Sequence, residues 1–147
     1  MDSSANIQKS TGWKQAKRQA VAAVAYVDER FLIIRRSKHV RSPLYFCFPG
    51  GGVEPGELVE QAIVREMQEE LGVVVVPKRE IWRSKTLSGF QLHWWHVDVK
   101  EPCVFVPDPM EVEMADWMTL DQIMQLDPLL PTNVDFFREF QSGRISF

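Results

Sequence analysis

The chain has 147 residues, of which 45% are hydrophobic and 25% charged, with a formal net charge of -3. That is enough for one ordinary hydrophobic core without disulfides or a structural metal. The charge balance argues against a stable nucleic-acid partner or an anionic membrane surface, while leaving a small phosphate-bearing ligand open.

Residues 1–17 are polar and lack the apolar core and cleavage pattern of a signal peptide, so a flexible segment is expected there, followed by a single domain over residues 18–147. The longest apolar run, Ala20 to Val27, is too short to span a bilayer. Cys47 and Cys103 lie in apolar stretches without metal-ligand spacing, as free thiols in a reducing cytosol do, so a cytoplasmic location is expected.

From Gln19 to Tyr26 the pattern reads as a strand, Asp28-Glu29-Arg30 as a turn, and Phe31 to Ile34 as a second strand. The basic stretch Arg35, Arg36, Lys38, His39, Arg41 reads as a loop closed by Ser42-Pro43, before a short strand at Leu44 to Phe48. Pro49-Gly50-Gly51-Gly52 ends that strand, since proline supplies no donor. A helix follows, which Gly72 ends in a left-handed conformation. Strands are expected at Val73 to Val76, Glu80 to Leu87 and Phe90 to Val99, the last two joined at Ser88-Gly89. Pro102 to Pro109 reads as a loop and Glu111 to Met118 as a strand. Thr119 to Gln125 reads as a short helix, and Asn133 to Gln141 as a longer one with Thr132 as N-cap and Gly143 closing it. Strands and helices mix irregularly, which predicts an α/β fold with a mixed sheet between helices.

The acidic helix carries the chemistry. At roughly 100° per residue, Ala62, Ile63, Met67 and Leu71 share one apolar face, and Glu66 and Glu70 fall near its middle. Two carboxylates aimed at a packed side need a positive partner. Spacings of three and four make Glu66, Glu69 and Glu70 neighbours on adjacent turns, and oxygen ligands of this kind suit Mg²⁺ or Mn²⁺ rather than zinc. Taken alone, the hexapeptide Arg65 to Glu70 reads more readily as a solvated charged face with Arg65 and Glu69 paired. The three glycines upstream favour the metal, because they let the main chain approach a ligand closely.

Gly51, Glu57, Arg65-Glu66-Met67, Glu69-Glu70, Gly72 and Val73 match the fixed positions of the Nudix box, and the chain therefore resembles the Nudix hydrolases. The resemblance extends to the amino-terminal strands, the FPGGG approach and the late EVEMADWMTLDQI stretch. It implies an α/β/α sandwich and Mg²⁺- or Mn²⁺-dependent hydrolysis of a diphosphate linked to another group. Glu66 and Glu70 would be the principal metal ligands, Glu69 a further ligand or the group that activates water, and the Gly50 carbonyl a contributor. Arg65 would orient a neighbouring carboxylate, and Glu57 would support the loop and helix with a metal role also open. A glutamate from a later segment can serve as base in this family; Glu111 matches it, with Glu113 as the fallback. One departure is Leu58, where many members carry Ser or Thr able to cap the helix.

A nucleoside diphosphate derivative is the implied small-molecule substrate, first a nucleoside triphosphate or an oxidised version of one, acted on by a monomer or homodimer. ADP-ribose, nucleotide sugars and dinucleoside polyphosphates are the neighbouring alternatives, and a nucleotide sensor without turnover is the alternative outside enzymes. Arg35 and Arg36 lie just before the glycine turn as candidate phosphate contacts, against the plainer reading of a solvated loop. Trp82 is a candidate for stacking on a base, against simple core packing. In His93-Trp94-Trp95-His96 strand alternation sends the two histidines to opposite faces, which argues against a shared metal.

Overall fold

The computed structural model describes residues 18–147; the segment expected to be flexible, residues 1–17, lies outside them. Strands β1 (Gln19–Val24), β2 (Tyr26–Val27), β3 (Arg30–Arg36), β4 (Phe46–Cys47) and β5 (Gly50–Gly52) precede helix α1 (Val59–Leu71). Strands β6 (Val75–Lys85), β7 (Gln91–Val99) and β8 (Val112–Thr119) follow, then helices α2 (Leu120–Met124) and α3 (Pro131–Gln141).

One sheet runs in the order β5-β1-β7-β6 and is mixed: β1 is parallel to β7 and antiparallel to β5, and β6 is antiparallel to β7. A second, antiparallel sheet joins β2, β3, β4 and β8 around β3. Both faces of the central strands are apolar, so alternation divides their side chains between two cores. Val21, Ala23, Leu32 and Ile34 pack with Ala62, Ile63, Met67 and Leu71 under α1. Ala22, Val24, Phe31 and Ile33 pack with Trp94, Phe136 and Phe137 under α3. The expected α/β sandwich is thus present, with two sheets in place of one.

Local chemistry explains the turns. Asp28 (φ 51°) and Glu29 (φ 60°) are both left-handed, the pairing that a two-residue hairpin loop between twisted strands requires. Gly72 (φ 65°) ends α1 as expected, its N–H donating to the Gln68 carbonyl at 2.9 Å. Leu58 has no side-chain acceptor to cap the helix, and the Gln61 side chain takes over half of that task, its Oε1 accepting the Leu58 N–H at 2.8 Å.

Several expected elements differ, among them the glycine turn, which forms β5, and Arg35-Arg36, which close β3 and do not open a loop. The strands expected at Val73 to Val76 and Glu80 to Leu87 are one eleven-residue strand, β6. It lies at the sheet edge with irregularities near Pro77 and Ile81, and an edge strand tolerates proline because its outer N–H needs no ladder partner. The strand expected at Leu44 to Phe48 pairs only over Phe46–Cys47, because Ser42 (φ 47°) and Leu44 (φ 63°) turn the preceding chain out of extended geometry. The last helix begins at Pro131 with Leu130 as its cap, not at Asn133 with Thr132 as its cap; proline is favoured at a first helical position, where its missing N–H has no partner to lose.

Candidate active site

Helix α1 presses Glu66 and Glu70 against β5, where they are 9% and 4% exposed. Gly51 makes room for the first: a Cβ built there would lie 2.5 Å from the Glu66 carboxyl carbon. Gly50 donates its N–H to Glu70 Oε1 at 2.9 Å, and a Cβ on Gly50 would sit 2.0 Å from the Val21 carbonyl oxygen. Two adjacent glycines therefore let the helix carboxylates and strand β1 approach β5 from two directions.

Arg65 organises the exposed rim of this cluster. Its guanidinium donates to Glu57 Oε2 at 2.8 Å and Oε1 at 2.9 Å, to Glu66 Oε1 at 2.9 Å, to Glu69 Oε2 at 3.2 Å and to the Gly52 carbonyl at 2.9 Å. A planar fork can hold several acceptors at once, which a single ammonium cannot. Glu57 also accepts the Glu54 N–H at 3.0 Å, so it ties the loop before α1 to the helix. The Arg65 hydrogen bonds hold the Glu57 carboxyl below its usual range.

The inner carboxylates behave oppositely. Burial raises Glu66 to about 7 despite Arg65, and burial together with the neighbouring Glu66 raises Glu70 to about 8. Glu111, just ahead of β8, completes the group: one carboxylate oxygen from each of Glu66, Glu70 and Glu111 lies within 4.8 Å of the others. Three converging oxygens, two of them on buried acids that resist ionising alone, fit a hard divalent cation such as Mg²⁺ or Mn²⁺. Glu69 sits at the rim with its side chain 52% exposed, and Gly50 meets the cluster through its amide.

Glu111 and Glu113 have different neighbours, although two residues apart on a regular strand would share a face. The β3–β8 register shifts between Arg35, opposite Met114, and Arg36, opposite Val112. Glu113 is the extra residue of that bulge, and bulges re-aim side chains. It pairs with Arg35 at 3.1 Å instead.

The same strand splits the basic pair. Arg35 packs over the Phe46 ring at 5.2 Å and donates to the Leu44 carbonyl at 3.1 Å. Arg36 follows the Ile34 side toward α1, donates to the Arg41 carbonyl at 2.7 Å, and its charge acts on both Cys47 and Glu70. Cys47 is buried, and desolvation pushes its thiol up to about 12, which leaves it a packing residue at neutral pH. Trp82 packs on Trp94 and Phe136, with ring centroids 5.4 and 6.1 Å away, in the core under α3. Among the described residues no helix is long and apolar enough to cross a membrane.

Two features of the site lay beyond sequence reasoning: the convergence of Glu111 on Glu66 and Glu70, and the influence of the Arg36 charge on Glu70. Neither leaves a local signal, because each depends on how β8 and β3 pair.

A family model described as the NUDIX domain matches residues 16–140. The CTP pyrophosphohydrolase of Escherichia coli strain K12 is 30% identical over 129 residues, covering 86% of this chain and 93% of that protein. Phosphatase NudJ of the same strain is 23% identical over 129 residues, covering 84% and 83%. Among solved structures, the E. coli ORF135 protein superposes with a TM-score of 0.70 at 28% identity, covering 86% of this chain and 89% of that one. The MutT protein from Methanosarcina mazei Go1 gives 0.66 at 26% identity, covering 85% and 93%. With the family's box folded into a buried, converging set of carboxylates, and with the family model spanning most of its length, this chain belongs to the Nudix hydrolases.

Proposed function

We propose that the protein hydrolyses a diphosphate linkage in a nucleoside diphosphate derivative, with Mg²⁺ or Mn²⁺ held by Glu66, Glu70 and Glu111, and that nucleoside triphosphates or their oxidised forms are the first substrates to test. The observation that carries this is the convergence of those three carboxylates within 4.8 Å. Similarity to a CTP pyrophosphohydrolase supports the triphosphate reading.

A divalent cation bound there supplies polarisation of the phosphate oxygens and activation of water. The remaining work falls to the chain. Arg65 holds Glu57, Glu66 and Glu69 in fixed orientation, so the ligands do not reorganise when substrate arrives. Gly50 orients Glu70 by its N–H, leaving the other carboxylate oxygen for the ion. Glu69 has one oxygen on Arg65 and the other available to take a proton from attacking water, with Glu111 as the competing base. Arg36 offers its charge to a substrate phosphate near Glu70, and Arg35, tied to Glu113, serves a lesser positioning role. Gly50 and Glu57 act here as support for the ligands, through the amide and the Arg65 pair respectively.

The test is turnover of a panel of nucleoside triphosphates, ADP-ribose, nucleotide sugars and dinucleoside polyphosphates, with each cation and with products identified. Cleavage of a phosphoric anhydride that stops on adding EDTA is the expected result. Binding without turnover of any compound would overturn the hydrolase reading in favour of a sensor. Comparing Glu69→Gln with Glu111→Gln then assigns the base: the variant that loses turnover while retaining Mn²⁺ affinity has lost the proton acceptor.

A further inference from the structure

A basic hollow beside the carboxylate cluster takes no part in the chemistry described so far. Where β1 begins and the β6–β7 hairpin turns, Arg18, Gln19, Arg83, Lys85, Gly89 and Gln91 line a cavity of about 580 Å³. Three of these are cations, and the lining includes no carboxylate.

The walls are held in place. Arg83 donates to both oxygens of Glu80 at 2.6 and 2.9 Å. His93, 5% exposed, reaches Glu80 Oε1 at 3.3 Å through Nδ1 and Gln19 Oε1 at 2.8 Å through Nε2. That chain of contacts fixes Gln19 and Arg83 on one wall and gives the buried histidine a role. Opposite them, Gly89 (φ 92°) leaves the Arg18 guanidinium its space, since a Cβ there would lie 2.9 Å from Nη1. The Gln91 N–H donates to the Arg18 carbonyl at 2.8 Å, which joins the start of β1 to the hairpin. Arg83 is neutralised by Glu80; among the described residues no such ion pair involves Arg18 or Lys85.

Register relates this hollow to the metal site. Val21 lies opposite Gly51, against which the Glu66 carboxylate rests. Gln19 is two residues earlier on the same strand and so shares the face of Val21, and His93 is the parallel partner of Val21 on β7. The Gln19 carbonyl accepts the Val53 N–H at 2.9 Å, so the loop leaving β5 passes beside the cavity. Two residues along β1 and one strand across separate the cavity's edge from Gly51, roughly 8 Å by ordinary strand spacings. A substrate whose diphosphate lies at Glu66 and Glu70 can therefore extend along the same face into it.

We propose that this cavity is a subsite for a further phosphate group, carried by the substrate beyond the scissile diphosphate, so that the preferred substrates are those with an additional phosphate. The proposal rests on the hydrolase reading given above. Concave clusters of one charge sign concentrate ligands of the other, guanidinium forks match phosphate oxygens, and the side-chain amides of Gln19 and Gln91 add neutral donors. Arg18 and Lys85, which form no ion pair among the described residues, set the preference; Arg83 is already satisfied by Glu80.

Inorganic tripolyphosphate in EDTA is the discriminating probe, because without a cation the carboxylate cluster offers a polyanion no positive partner and binding must occur elsewhere. Calorimetry is expected to show binding to the unmodified protein that falls about five- to tenfold in Arg18→Gln and in Lys85→Gln, and holds in Lys78→Gln, an exposed lysine of the same strand paired with Asp98. With Mg²⁺, Lys85→Gln should raise KM for a dinucleoside tetraphosphate by a similar factor with kcat unchanged, and leave KM for ADP-ribose unaltered. No binding in EDTA, equal binding by all variants, or equal KM changes for both substrates would overturn the subsite. Absence of turnover of every diphosphate by the unmodified protein overturns the hydrolase reading instead, and the EDTA measurement separates the two.

Discussion

Replacing Glu70 with Gln is expected to make the metal-free protein more stable at pH 8, although it removes a charge from the centre of the site. Glu70 is 4% exposed, and burial next to Glu66 raises its carboxyl from the ordinary range to about 8. The folded protein therefore keeps this proton at pH values where the unfolded chain has released it. A raised acid contributes most to stability below the unfolded pKa, and the contribution is lost as pH rises toward the folded one. Between those limits the loss approaches about 1.4 kcal/mol per pH unit, on the order of 4 kcal/mol from pH 5 to 8. For a chain of this size that corresponds to a fall in Tm of roughly 10 °C. Glutamine keeps the acceptor for the Gly50 N–H, which Glu70 takes at 2.9 Å, and carries no charge at any pH. The assay is thermal unfolding in EDTA from pH 5 to 8.5 for both proteins. The variant's profile should be flatter and should lie above that of the unmodified protein at pH 8; parallel profiles would refute the reasoning.

Glu66→Gln and Glu111→Gln should each reduce Mg²⁺-dependent turnover by about a hundredfold or more with circular dichroism unchanged, and wild-type rates in either would remove that residue from the metal set. Gly51→Ala places a methyl group 2.5 Å from the Glu66 carboxyl carbon, so Mn²⁺ affinity measured by electron paramagnetic resonance should weaken about tenfold or more. Arg65→Lys loses the fork that reaches Glu57, Glu66 and Glu69 together; turnover should drop about ten- to a hundredfold, and a variant indistinguishable from wild type would show the fork to be dispensable. Trp82→Ala should cost about 2 kcal/mol in denaturant unfolding through lost contact with Trp94 and Phe136, and a rise in KM for nucleotides would be the separate mark of base stacking.

The acidic helix was legible because its evidence is local. A period of 3.6 residues places Glu66 and Glu70 amid Ala62, Ile63 and Met67, and the fold buries the same set. The left-handed glycine that ends it and the hairpin at Asp28-Glu29 are likewise written in neighbouring residues. Alternation alone separated His93 from His96, and the fold directs His93 to Gln19 and His96 to Phe147. The strand breaks were less legible: the gap expected between Val76 and Glu80 is absent, because an edge position lets one strand continue through Pro77. Thr132 resembled a cap, but the helix begins at Pro131, two residues before Asn133, with Leu130 in the cap position.

By itself, then, the sequence determined the reaction family, the helix that carries the buried acids and the glycines that admit them, all encoded within some twenty neighbouring residues. Tertiary structure brought Glu111 to Glu66 and Glu70 and turned Glu113 to Arg35, divided Arg35 from Arg36, and gathered Arg18 with Lys85 into one cavity. Those outcomes depend on pairing between strands far apart in the chain and on a single bulge, and a bulge changes the direction of a side chain without any residue nearby announcing it.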